Sequence, residues 1–406
     1  MKTDKTSKIS CLLAMSSTFE YYDFVIYGLM SAYLGQLFFP NEDLFIGQLQ
    51  AFSLFALGYV VRPFGGVILA YFGDFKSQKK IYVRSNFILA LATIAISLLP
   101  NYTQMGVTAS VALVILRILQ SITFAVELPG AMTFLQNSKN PEGFSFVISG
   151  SALGAILASA TLYILESKFS REEILNYAWR IPFILGAVLC IVSIYLKNYL
   201  PETSGNKFKN KMEVLLSIAP QYKNIISSVL IISLPAFLVI MNIFFSSFIP
   251  KFYGYAVKEV YLAIIISLIY SIFYTPIFAY STKNISKLTL IKGIIASAIF
   301  LGLVINFLLL RHSFMHLVIG LCIYQSINCG AIVTVFPLMA RKFAENNRFT
   351  LMTACYNISY SLMAFSPILV TKLAEKLDSP FAMWIILIGL CIFILANLAK
   401  FEEDTL

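Results

Sequence analysis

Glu20 and Asp23 stand three residues apart in a stretch that is otherwise apolar from Cys11 to Phe38, so on a helix both carboxyls share a face, and Tyr27 continues it one turn later. Neighbouring carboxylates repel, and a carboxyl under that repulsion is suited to taking up and releasing a proton. The plainer alternative is that one of them only pairs with a nearby cation. A second polar stripe carries Arg117, Gln120 and Glu127, with Gln120 and Glu127 seven apart and Arg117 one turn before Gln120. The guanidinium of Arg117 presents a planar fork that matches a carboxylate, either that of a solute or that of Glu20 or Asp23. Gln325 and Asn328 are the neutral counterparts in the second half, together with Asn242, Asn357 and Tyr360. Arg62, ahead of Pro63-Phe64-Gly65-Gly66, and Asp74 with Lys79 and Lys80 are read as conformational gating residues. With His312 and His316 as its two histidines and six cysteines all inside apolar segments, the chain offers no nucleophile–base pair and no metal-ligand spacing. The expected chemistry is therefore handling of protons and a solute, without cofactor or metal, and not bond making.

The elements that position these groups must be membrane helices. Hydrophobic residues make up 59% of the 406 and charged ones 12%, against roughly 25% charged in soluble domains. Apolar runs of about 20 residues cross a bilayer. Such runs fall near 11–38, 47–72, 81–99, 104–135, 144–165, 180–199, 224–248, 258–280, 288–310, 314–340, 350–372 and 381–399, giving twelve spans. An ionisable group near the bilayer centre costs roughly 2.5 to 3.5 kcal/mol on insertion scales, so Glu20, Asp23, Arg62, Arg117 and Glu127 each require a partner, a wet cavity or a function. The amino-terminal apolar stretch contains Glu20 and Asp23 and lacks a small-residue cleavage site, which makes it an uncleaved first helix. Gly150, Gly154 and Ala158 at fourfold spacing mark a close helix–helix approach.

Most of the 30 Lys and Arg residues lie in alternate connectors on one side, Lys197 among them, and place both termini in the cytoplasm. The net charge of +10 is thus read as orientation and not as nucleic-acid binding. The long polar connector at 201–222 divides a bundle at 1–200 from one at 223–406. Leu116-Arg117-Ile118-Leu119-Gln120-Ser121-Ile122 matches Leu321-Cys322-Ile323-Tyr324-Gln325-Ser326-Ile327 at an offset of 205, and Phe38-Phe39-Pro40 matches Phe248-Ile249-Pro250 at 210. Six spans separate the copies, an even number, so the two bundles are parallel repeats.

These residues resemble the metabolite:proton symporters of the major facilitator superfamily, which include proline/betaine, shikimate and 2-oxoglutarate carriers. The resemblance rests on Glu20-Tyr21-Tyr22-Asp23-Phe24, Arg62-Pro63-Phe64-Gly65-Gly66 with Gly73-Asp74, Arg117-Ile118-Leu119-Gln120, Glu127-Leu128-Pro129-Gly130-Ala131, Trp179-Arg180-Ile181-Pro182-Phe183, Leu200-Pro201-Glu202-Thr203 and Tyr356-Asn357-Ile358. It implies an all-α membrane fold of twelve helices in two bundles, a central cavity, alternating access driven by a proton gradient, and a monomer. Phe75, Ser77 and Gln78 depart from the Arg, Gly and basic residue of the family's loop, and Ala125-Val126 replaces its paired glycines, which implies a weaker conformational latch. The expected protein is a proton-coupled importer of a small solute, foremost a proline- or betaine-type zwitterion or an organic acid, in a bacterial inner membrane. The rival readings are a proton-coupled exporter of metabolites or drugs and a transport-dead sensor.

Overall fold

The computed structural model describes residues 2–40, 44–202 and 219–403, and their regular structure is helical. The helices are α1 (Lys2–Leu29, resuming at Ser31–Phe38), α2 (Leu44–Phe75), α3 (Gln78–Leu98), α4 (Val107–Phe124, resuming at Glu127–Asn137), α5 (Phe144–Lys168) and α6 (Arg180–Asn198). The series continues with α7 (Tyr222–Tyr253), α8 (Val257–Ser281), α9 (Lys287–Leu309), α10 (Phe314–Lys342), α11 (Arg348–Met363, resuming at Ser366–Leu377) and α12 (Ala382–Glu403). These correspond one to one with the twelve expected spans. Eight stretches among the described residues are long and apolar enough to cross a membrane on their own, α4 counting once as Val107–Asn137. The expected connector at 201–222 falls on residues 203–218 for most of its length, outside the described residues.

Local chemistry explains where the helices begin, break and end. The Ser77 side chain accepts from the Lys80 backbone N–H to start α3, and Asn101 with Gln104 forms a capping box just before α4. Pro129 has no N–H for the Ala125 carbonyl and Pro367 none for Met363, and α4 and α11 break at Ala125–Val126 and Ala364–Phe365. At the end of α7, Gly254 adopts φ of +71°, the left-handed stop that a side chain disfavours.

The chain divides into two compact units, Met1–Ala131 with Gly150–Lys209, and Met132–Ser149 with Asn210–Leu406. In the first, α6 packs along both α1 and α3, where Leu89, Ala90 and Cys190 form an apolar seam. In the second, Gly302 of α9 admits the Trp384 ring of α12, whose indole N–H donates to Tyr253 at 3.2 Å, and Phe144 stacks on Phe336 at 5.1 Å. Large apolar side chains such as Phe64, Ile68, Tyr163, Phe273 and Phe300 lie exposed on the outward helix faces, as expected where lipid replaces water as the solvent.

The small-residue stripe of α5 seats it on α1. A Cβ added at Gly150 would stand 2.2 Å from the Ala14 carbonyl oxygen, and one at Gly154 2.3 Å from that of Thr18. Because the obstacle is backbone, Gly154→Ala is expected to destabilise by about 1–3 kcal/mol, whereas Gly389→Ala, with nothing within 4 Å, is expected to be close to neutral. Thermal unfolding of the purified protein in detergent compares the two, and equal melting temperatures would refute so close an α1–α5 contact.

Candidate functional site

The first unit contains two polar networks one helical turn apart on α1. The upper one is built on Asp23. The Thr93 hydroxyl of α3 donates to Asp23 Oδ1 at 2.8 Å, and the Gln120 amide of α4 donates to Asp23 Oδ2 at 3.1 Å and to Thr93 Oγ1 at 2.8 Å. Gln120 Oε1 in turn accepts from Arg117 at 3.1 Å, and the Arg117 guanidinium lies 4.0 Å from the centre of the Tyr27 ring. Four of the residues singled out by spacing, Asp23, Tyr27, Arg117 and Gln120, thus form one assembly, with Gln120 bridging cation to carboxyl. Asp23, Arg117, Gln120, Phe24 and Phe124 line a small cavity of about 10 Å³, the space of roughly one water molecule.

The lower network joins Glu20 of α1 to Glu127 of α4 through a residue of α6. Lys197 Nζ lies 2.8 Å from Glu20 Oε1 and 2.7 Å from Glu127 Oε2, and the three side chains are 1%, 1% and 2% exposed. Tyr82 donates to Glu127 Oε1 at 2.7 Å, and Ser16, Asn86 and Ser193 all donate to Glu20 Oε1. Lys197 also sits 3.5 Å from the centre of the Tyr82 ring. Four helices are tied by one buried ammonium between two carboxyls, an arrangement that demands its hydrogen bonds because desolvating each charge is costly.

Lys197 is the residue that sequence reasoning missed. By sequence it reads as a connector cation, but it is buried at the last turn of α6. The available signal was its fourfold spacing from Ser193 and the matching polar stripe Tyr82, Asn86 and Thr93 on α3, all interrupting apolar runs. Thr93, on the same stripe, was missed as well.

Arg62 is 2% exposed and lies against three aromatic rings, with its guanidinium carbon 4.2 Å from the centroid of Tyr59 and 4.9 Å from those of Phe24 and Phe124. The helix contacts explain why. Gly58, Arg62 and Gly65 share one face of α2, and the two glycines press it onto Ser121 and Ile122 of α4, where an added Cβ would approach to 2.4 and 2.5 Å. The other expected gating residues lie elsewhere: Asp74 accepts from Gln78 at 3.1 Å, Lys79 pairs with Glu202 at 3.0 Å, and Lys80 is exposed at the start of α3. Arg180 donates to the Leu99 carbonyl at 3.3 Å and stacks on Trp179 at 4.5 Å.

In the second unit Gln325, the repeat counterpart of Gln120, and Asn328 are both buried on α10, and the Asn328 amide donates to Gln325 Oε1 at 3.0 Å. Each repeat glutamine therefore accepts from a residue three positions away, Arg117 for Gln120 and Asn328 for Gln325.

Comparison with known proteins agrees with this architecture. The family model described as Major Facilitator Superfamily matches residues 12–365. A protein of Staphylococcus aureus (strain COL), provisionally named a proline/betaine transporter, is 27% identical over 397 residues, covering 93% of this chain and 84% of the relative. The proline/betaine transporter of Salmonella typhimurium (strain LT2) is 24% identical over 399 residues, covering 92% and 78%. Among solved structures, the proton:xylose symporter XylE bound to 6-bromo-6-deoxy-D-glucose superposes with a TM-score of 0.76 at 12% identity, over 99% of this chain and 96% of that one. The human organic anion transporter MFSD10 superposes with a TM-score of 0.68 at 10% identity, over 96% and 98%. The fold is shared with both.

Proposed function

The chain belongs to the Major Facilitator Superfamily, a family of membrane transporters and not of enzymes, and on that premise we propose that it is a proton-coupled symporter importing a small solute by alternating access. The solute class is a proline- or betaine-type zwitterion, with a small organic acid second, and the membrane is a bacterial plasma membrane with both chain termini in the cytoplasm. The observation that carries the proposal is Asp23, a buried carboxyl held by Thr93 and Gln120 beside a cavity that also presents Arg117. A carboxyl and a guanidinium joined through one amide can exchange partners when a proton or a solute carboxylate arrives, which is the minimum that coupling requires. The bacterial relatives named as proline/betaine transporters support the solute class, and the basic connectors support the orientation.

The test is uptake of labelled proline, glycine betaine and 2-oxoglutarate into proteoliposomes under an imposed inward proton gradient. Accumulation of one of them, collapsed by a protonophore, is the expected result. Solute leaving against an inward proton gradient would instead establish export, and a folded protein that moves none of a broad solute panel would favour a sensor.

A further inference from the structure

Among the described residues Arg62 and Arg117 are buried cations of the first unit that lie outside the Lys197 ion pairs, and of the two it is Arg117 that is linked to a carboxyl, that of Asp23, through Gln120. The ion pairs of the buried core there run from Lys197 to Glu20 and Glu127, no ion pair reaches Arg62 among the described residues, and its Nε has no hydrogen-bond partner. Its surroundings are the faces of Phe24, Tyr59 and Phe124, which attract a cation but replace only part of the hydration it has lost. Two of those rings, Phe24 and Phe124, also line the cavity beside Asp23 and Arg117. Arg117 lines that cavity and Arg62 lies behind its Phe24 and Phe124 walls, so two guanidinium groups stand near one lining carboxyl, Asp23. The close seating of α2 on α4 at Gly58 and Gly65, on the same helix face, brings Arg62 to this position.

We infer that Arg62 binds the carboxylate of the transported solute, so that the site takes carboxylate-bearing solutes and discriminates against those lacking the group. This rests on the transport reading above and names the solute chemistry for that same site. The fork of a guanidinium pairs two donors with the two carboxylate oxygens, and the aromatic faces around it accept the apolar or cationic remainder of the solute. Arg117, already engaged with Gln120 and Tyr27, stays with Asp23 and the proton.

The experiment is equilibrium binding to the purified full-length chain in detergent with no proton gradient, using labelled proline, glycine betaine and 2-oxoglutarate, with choline as the probe that keeps the quaternary ammonium and lacks the carboxylate. The parent is expected to bind at least one carboxylate probe and to bind choline far more weakly. Arg62→Gln is expected to weaken the carboxylate probe by about 10- to 100-fold, the loss of a charge-assisted hydrogen-bonded pair, and to leave choline unchanged. Arg62→Lys keeps the charge but not the fork and is expected to fall between the two, which preserves the comparison if the glutamine variant does not fold. Which probe binds separates a zwitterion from a dianion. Carboxylate binding that stays within twofold of the parent in a folded Arg62 variant overturns the proposal, as does a parent that binds choline as tightly as glycine betaine or binds no carboxylate probe. Because no gradient is applied, failure of proton coupling in liposomes would leave these outcomes untouched, so the two readings fail separately.

Discussion

Replacing Lys197 by Met is expected to destabilise the protein by about 3–5 kcal/mol or more, and Lys197→Met combined with Glu127→Gln to recover a large part of that loss. The ammonium is the shared counter-ion of two carboxyls that come from different helices, and methionine fills its volume without its charge. The single variant leaves Glu20 and Glu127 facing one another in a region from which water is excluded. Removing the Glu127 charge as well leaves Glu20 with three donors to its Oε1, from Ser16, Asn86 and Ser193, and without a like charge opposite it. Thermal unfolding in detergent reads the stability and proteoliposome uptake reads the function. If Lys197→Met melts with the parent, the triad does not bind α1, α4 and α6 together. If the double variant is worse than the single one, charge compensation is not the reason for the loss.

What the sequence made legible was whatever violates the membrane's rules. Twelve spans were readable because a bilayer asks for about 20 apolar residues each. Asp23, Arg117 and Gln120 were readable because each interrupts an apolar run at helical spacing. Three features escaped. Lys197 lies at the end of an apolar run, where a lysine ordinarily snorkels to the interface, and nothing local distinguishes a lysine that turns inward. Thr93 is cheap in a helix because its hydroxyl can lean on the Leu89 carbonyl, so its presence raises no alarm. Arg62 was recognised as too deep for a loop cation, but its place beside the Asp23 cavity depends on how Gly58 and Gly65 seat α2 on α4, a tertiary fact.

Asp23→Asn is expected to abolish accumulation of solute against its gradient while leaving solute exchange intact. The substitution is close to isosteric and the local hydrogen bonds can survive it. The asparagine oxygen can face the Gln120 amide, and its NH₂ can face the Thr93 oxygen while the Thr93 hydroxyl donates to the Leu89 carbonyl 2.9 Å away. Arg117 keeps Gln120 Oε1 as acceptor in that arrangement. What is lost is the negative charge and with it the capacity to carry a proton, and for one proton per solute an inward gradient of one pH unit supports at most about tenfold accumulation. The parent should approach that ratio, and the variant should stop at equal concentrations on the two sides. Exchange of labelled for unlabelled solute needs no net proton movement and should continue, which distinguishes lost coupling from lost binding or folding. Tenfold, protonophore-sensitive accumulation by Asp23→Asn would remove Asp23 from the coupling step. Glu20 and Glu127 would then be the next carboxyls to test, and accumulation in the Lys197→Met, Glu127→Gln background would reveal whether Glu127 is needed.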